Sequence, residues 1–267
     1  MTPRYDDYQR LLFDRPADGV LRVTISRPER LNALDARGHR ELAYVWQEID
    51  KDPSVRAVIL TGAGKVFSAG GDFEVVDHLN NDHEARAEMW QEARDLVYNV
   101  INCSKPIISA MRGPVVGAGL VAGILADVSI ASKTAKILDG HTRLGVVAGD
   151  HGAMIWPLLC GMAKAKYYLM TCEPLSGAKA EEIGLISLAV EDDEVEAKAI
   201  EVAARLAAGA TRAISWTKYA LNNWLRLAGP SFDASLALEM LGFGGSDAKE
   251  GLASHREKRP PQFHPKT

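Results

Sequence analysis

The chain has 267 residues, 47% hydrophobic and 25% charged, with a formal net charge of −4. This is an ordinary composition for a folded globular protein of one substantial core, and the spread of charge marks no nucleic-acid surface, so an anionic ligand must be held locally. Three cysteines, Cys103, Cys160 and Cys172, have the spacing of neither a disulfide framework nor a zinc site and read as packed thiols of a reducing compartment.

From Met1 to Arg15 the chain carries Arg4, Asp6, Asp7 and Arg10 and no apolar core of signal-peptide length. The longest apolar run, Val115 to Ala126, is about half of a membrane span and contains Gly117, Gly119 and Gly123. A soluble, cytoplasmic protein with no membrane partner is expected. Val20 to Ile25 alternates and is rich in β-branched residues, which predicts a strand. Asp35 then caps a helix with Leu42, Val45, Trp46 and Ile49 on one face. Val55 to Thr61 reads as the next strand, 82–102 as a polar helix, Ile107 to Ala110 and Asp127 to Ala131 as further strands. This β-then-α order predicts a layered α/β core built on crossover units. From Gly152 onward helices are expected over about 152–171, 178–183, 194–208, 211–227, 231–241 and 246–258. The fourth carries Ile214, Leu221, Trp224 and Leu225, for which either a neighbouring subunit or the chain's own core is the cover. The economical division is one domain over 1–267, with a core over about 1–200 and a helical region over about 201–267.

Two glycine-rich turns, Phe67 to Asp72 and Gly113 to Leu120, each lie between a predicted strand and a predicted helix. Small residues let a ligand approach the backbone, and free N–H groups at a helix start point toward negative charge. Two such groups converging on one oxygen make an oxyanion hole. Neither turn has a dinucleotide fingerprint or a phosphate loop. On pattern alone, a pair of tight turns packed for close approach is the simpler explanation.

Four blocks, Ser26 to Leu34, Phe67 to Asp72, Lys105 to Gly119 and Ala126 to Ala131, follow one another in the order of a known family, and by them the chain resembles the crotonase (enoyl-CoA hydratase/isomerase) superfamily. Ser26-Arg27-Pro28-Glu29-Arg30-Leu31-Asn32-Ala33-Leu34 resembles R-P-x-x-x-N-A-L, and Phe67 to Asp72 resembles F-x-A-G-x-D. Lys105 to Gly119 resembles K-P-x-I-A-A-x-x-G-x-x-x-G-x-G, and Ala126 to Ala131 the C-D-x-x-x-A strand. Leu144 to Val147, Glu181 to Leu188, Glu250-Gly251 and Glu257 to Pro260 resemble the later blocks. The resemblance implies a crotonase-like (ClpP/crotonase) α/β fold of stacked ββα units with a helical C-terminal trimerisation region, assembled as a homotrimer or dimer of trimers. It implies an acyl-CoA substrate and no further cofactor or metal. By position it assigns the oxyanion N–H groups to Gly71 and Ala118, and CoA contacts to Arg30, Leu31, Ala33 and Ala69. The variable stretch Phe73 to Met89 is expected to wall the acyl pocket.

Hydratases of this family use two glutamates, one to accept and one to donate a proton. Here those positions are Val121 and His141. His141, Asp150 and His151 stand nearby, and the His141–Asp150 spacing resembles the histidine–aspartate pair of the β-diketone hydrolase branch. An imidazole oriented by a carboxylate is a credible base. The structural alternatives are that His141 fills the glutamate's space and that Asp150 caps the helix starting at Gly152. Asp72 reads as a helix cap, Asp127 as a satisfier of backbone groups, and His39, His78, His83, His255 and His264 as surface residues. Three functions follow as expectations: acyl-CoA hydration or isomerisation, C–C hydrolysis of a β-diketone or β-keto thioester by His141 and Asp150, and a silent acyl-CoA binder.

Overall fold

The computed structural model describes residues 5–264. Met1 to Arg4, which open the stretch read above for a signal peptide, lie outside them. An antiparallel hairpin, β1 (Leu11–Ala17) and β2 (Val20–Ile25), comes first, and β1 carries too little alternation for the sequence to have announced it. Helix α1 (Ala36–Lys51) starts at Asp35, whose side chain accepts the Gly38 N–H, and buries Leu42, Val45, Trp46 and Ile49 as expected.

Three ββα units follow. The first is β3 (Ala57–Gly62), β4 (Ser68–Ala69), α2 (Phe73–Asn81) and α3 (His83–Asn102). The second is β5 (Ile107–Met111), β6 (Pro114–Val116) and α4 (Gly117–Leu125). The third is β7 (Val128–Ser132), β8 (Lys136–Leu138) and α5 (His141–Leu144). The first strand of each unit enters a six-stranded sheet ordered β1-β2-β3-β5-β7-β10, and the second enters a four-stranded sheet ordered β4-β6-β8-β9. Here β9 is Leu175–Ser176 and β10 is Leu188–Val190. From β2 to β10 the large sheet is parallel, and both of its faces are covered, as parallel sheets require. Val58 and Leu60 of β3 face the main core, whereas Ala57 and Ile59 face a second cluster capped by Val195, Ala199 and Val202.

The remaining helices are α6 (Gly152–Thr171), α7 (Gly177–Glu182), α8 (Val195–Ala207), α9 (Thr211–Leu221), α10 (Asn223–Leu227), α11 (Gly229–Phe243) and α12 (Ser246–Arg256). Two of the expected helices are broken. The one over 152–171 kinks at Gly161, where φ is 78°, a left-handed setting that glycine tolerates. The one over 211–227 divides at Asn222 into α9 and α10. No helix among the described residues is long and apolar enough to cross a membrane.

Cys103 is buried as expected, but Cys172 is not in apolar surroundings: its Sγ accepts the Arg143 N–H at 3.3 Å and lies 3.0 Å from Thr142 Oγ1. Asp127 accepts the Ile107 N–H at 2.8 Å, as anticipated, and also pairs with Lys218 Nζ at 2.7 Å.

Candidate active site

A cavity of about 370 Å³ opens where the two glycine-rich turns meet the first turn of α4. Gly70, at φ 102°, and Gly117, at φ 57°, take backbone settings that favour glycine. A Cβ on Gly117 would lie 2.8 Å from Gly70 Cα and 3.1 Å from Gly71 N, so the two turns touch backbone to backbone. The Leu34 N–H donates to Gly70 O at 2.9 Å. Because the peptide is trans, a carbonyl anchored on one side sends the Gly71 N–H the opposite way. Ala118 is the second residue of α4, where a helix has no internal acceptor to offer. Among the described residues neither N–H has a hydrogen-bond partner, and both residues line the cavity. Asp72 holds the first turn, accepting the Glu74 N–H as N-cap of α2 and pairing with Arg27 at 2.6 Å.

Opposite stands His141, which opens α5. Its Nδ1 lies 3.0 Å from Asp139 Oδ1, and its Nε2 is 3.6 Å from both Asp150 Oδ2 and Glu239 Oε1. Burial pushes the imidazole's pKa down, but Asp139, Asp150 and Glu239 together raise it well above 6.5. Asp150 moves the other way. Burial works against its charge, yet His141 and His151 hold it well below the usual carboxylate range. Glu239 is pushed up to about 8, first by burial and then by the neighbouring Asp150 and Asp139 charges, against the pull of His141. Its Oε2 is buried without a hydrogen-bond donor among the described residues, a setting that favours the neutral acid.

Asp150 does not cap α6. The N-cap is His151, and the Asp150 oxygens go to His151 Nδ1 at 2.7 Å and toward His141. The ring of His151 is fully buried, and its Nε2 accepts from the Trp156 indole at 3.3 Å. Indole N–H only donates, so the His151 proton sits on Nδ1 and that ring is a fixed support. Val121 lies in the cavity wall with no polar atom to offer.

Of the positions assigned to CoA, Ala69 lines the cavity, whereas Arg30, Leu31 and Ala33 lie outside it. They belong to the adjoining loop, whose Leu31 O accepts the Ala69 N–H at 3.0 Å. Asn32, fully buried, pins that loop by donating to Ala63 O and Val66 O and accepting from the Arg27 N–H. Two histidines expected at the surface are in the cavity wall instead: His39, drawn in by Glu92 on α3, and His255, whose ring packs on Phe73. His78, His83 and His264 are exposed as expected. Phe73, Val75, Val76, Leu79 and Met89 do wall the cavity, and α11 adds Met240 and Phe243. Glu239 carried no local signal in the sequence. It lies far from His141 along the chain, and only the docking of α11 brings the two together.

The family model for enoyl-CoA hydratase/isomerase matches residues 15–266. The chain belongs to this family. It is an enzyme of the enoyl-CoA hydratase/isomerase group, and its fold is the crotonase fold. A 1,2-epoxyphenylacetyl-CoA isomerase of Escherichia coli (strain K12) is 30% identical over 251 residues, spanning 92% of this chain and 95% of that one. A probable enoyl-CoA hydratase of Bacillus subtilis (strain 168) is 34% identical, spanning 90% of this chain and 93% of the relative. The crystal structure of an enoyl-CoA hydratase/isomerase from Mycobacterium paratuberculosis superposes with a TM-score of 0.88 at 33% identity, covering 94% of this chain and 100% of that one.

Proposed function

We propose that this enoyl-CoA hydratase/isomerase family member hydrolyses the carbon–carbon bond between two carbonyl groups, with His141 as the proton-transfer group. The observation that carries the reading is one imidazole facing the cavity among Asp139, Asp150 and Glu239, where hydration needs two carboxylates and Val121 offers none. Neutral His141 takes a proton from water as the oxygen adds to one carbonyl carbon. The C–C bond then breaks, its electron pair becoming an enolate whose oxygen the Gly71 and Ala118 N–H groups hold. The imidazolium returns the proton to the enolate carbon, so one water is consumed and a carboxylic acid and a ketone, or thioester, are formed. Asp150 keeps the ring oriented and offsets its charge.

Incubation with an acyclic apolar 1,3-diketone, followed by proton NMR, tests the reading. Stoichiometric carboxylate and ketone are expected, with turnover lost in His141→Ala by about 10²–10⁴-fold, the range for a proton-transfer group. Because the carboxylates raise the imidazole pKa, the neutral base forms only as pH climbs. The acid limb of kcat/KM is therefore expected above the ordinary 6.5. Full activity of His141→Ala would sink the idea.

A second reading, isomerisation or hydration of an acyl-CoA, is favoured by the relatives' acyl-CoA chemistry and by the exposed Leu31 beside Arg30 on the loop that adjoins Ala69. In it, Arg30, Leu31, Ala33 and Ala69 hold CoA, which is part of the substrate, and no other cofactor or metal takes part. Tight CoA binding with no diketone cleavage would select it. We also propose assembly as a homotrimer or dimer of trimers. Helices α9 and α10 expose Trp216, Tyr219, Leu221, Trp224 and Leu227, while Ile214 is half-buried and Leu225 packs on the chain's own core. A soluble, cytoplasmic setting goes with this reading.

A further inference from the structure

A second histidine–carboxylate pair lies in the cavity wall. His39, in the first turns of α1, has its Nδ1 2.5 Å from Glu92 Oε1, and Arg40 Nε donates to the other Glu92 oxygen at 3.0 Å. The His39 and Glu92 side chains keep 12% and 10% of their exposure. Burial would raise the Glu92 pKa, but His39 and Arg40 lower it overall, so this carboxylate is an acceptor only. The proton in the pair therefore sits on Nδ1. Among the described residues nothing bonds Nε2, and the residue lines the cavity.

Cleavage between two carbonyls places negative charge on two oxygens in turn. One belongs to the carbonyl that water attacks, the other to the enolate released. The backbone pair at Gly71 and Ala118 can serve one of them. The other polar groups in the wall are poorer donors: Arg143 is largely exposed, and burial and the Arg143 charge pull the His255 pKa down.

We infer that His39, held at Nδ1 by Glu92, presents Nε2–H to the second substrate oxygen, so that the site recognises a 1,3-dicarbonyl through both oxygens at once. The inference rests on the cleavage reading. It makes His39 a catalytic residue and Glu92 a positioning residue.

Cyclohexane-1,3-dione is a suitable probe, being largely enolate at neutral pH and carrying two oxygens in a 1,3 relation. It is titrated into the full chain carrying ¹⁵N-labelled histidine, with the His39 signals assigned by their absence in His39→Gln. On binding, the His39 Nε2 resonance is expected to shift. The dione Kd should rise about tenfold or more in His39→Ala, as for loss of a charged hydrogen bond, and by less in Glu92→Gln, where the ring stays but its anchor weakens. Should His39→Ala fail to fold, the wild-type resonance alone decides. A bound dione that leaves that resonance unmoved overturns the inference, and so does a dione that does not bind. A dione that binds and shifts it, with no diketone cleaved, supports His39 recognition and removes the cleavage reading alone.

Discussion

At His141 one imidazole faces three carboxyl groups, and this excess of acid decides where protons rest. Asp150 keeps its charge because two histidines flank it. Glu239, with an oxygen that no group solvates, keeps a proton up to about pH 8. The sign of the consequence follows from linkage. A carboxyl whose folded pKa is raised above its unfolded 4.5 holds a proton that the unfolded chain has already lost, so stability falls as pH rises from about 4.5 to about 8. Glu239→Gln removes that loss. Its melting temperature is expected to exceed the wild type's at pH 8 by more than at pH 5, as scanning calorimetry at the two pH values would show. An equal difference at both would mean that Glu239 is ionised throughout. The His141–Asp150 pair was legible because its members lie close in sequence, within a block where the family pattern breaks. Glu239 was not, since a glutamate among the leucines of α11 looks like any solvated residue. His39 read as a surface residue for a similar reason: its burial comes from α3, which packs on α1 from elsewhere in the chain.

Among the elements, the two turns are held to different tolerances. Gly117 combines a positive φ with a Cβ position that would strike Gly70, whereas a Cβ on Gly71 meets nothing within 4 Å. Gly117→Ala is expected to cost on the order of 1–3 kcal/mol, the usual cost of a left-handed non-glycine residue at a crowded site. Gly71→Ala should stay within about 0.5 kcal/mol, as open positions do. Urea unfolding of both variants checks the contrast, and equal losses would mean that the turns do not touch. The four middle strands of the large sheet, β2, β3, β5 and β7, were readable from their β-branched and apolar runs, whereas its edges β1 and β10 were not. The small sheet was not, because β4 and β9 are two residues long and carry no periodicity. Their positions are set by the units that precede and follow them. Helix α2 was hidden too: the stretch after Asp72 read as a variable pocket wall, and its cap at Asp72 was the one visible sign.

For the whole molecule, the apolar side chains left open on α9 and α10 depart from a self-sufficient surface. Trp224 and Leu227 keep 66% and 73% of their exposure, with Trp216 nearby at 67%. Such clusters mark contact surfaces. The double variant Trp224→Lys, Leu227→Lys is expected to sediment as a smaller species than the wild type, and an unchanged sedimentation coefficient would show that this face is not where subunits meet. The sequence indicated surplus apolar surface here, but it could not separate Leu225, which turns inward, from Trp224, which does not.

The position of Glu239 on α11 also bears on the order in which the protein becomes competent. A ribosome that has joined the first 150 residues has already made the two glycine turns, His39, His141 and Asp150. The cavity then still lacks the wall formed by Glu239, Met240 and Phe243, and His255 comes later still. The wall that faces His141 is thus completed only as the last tenth of the chain is made.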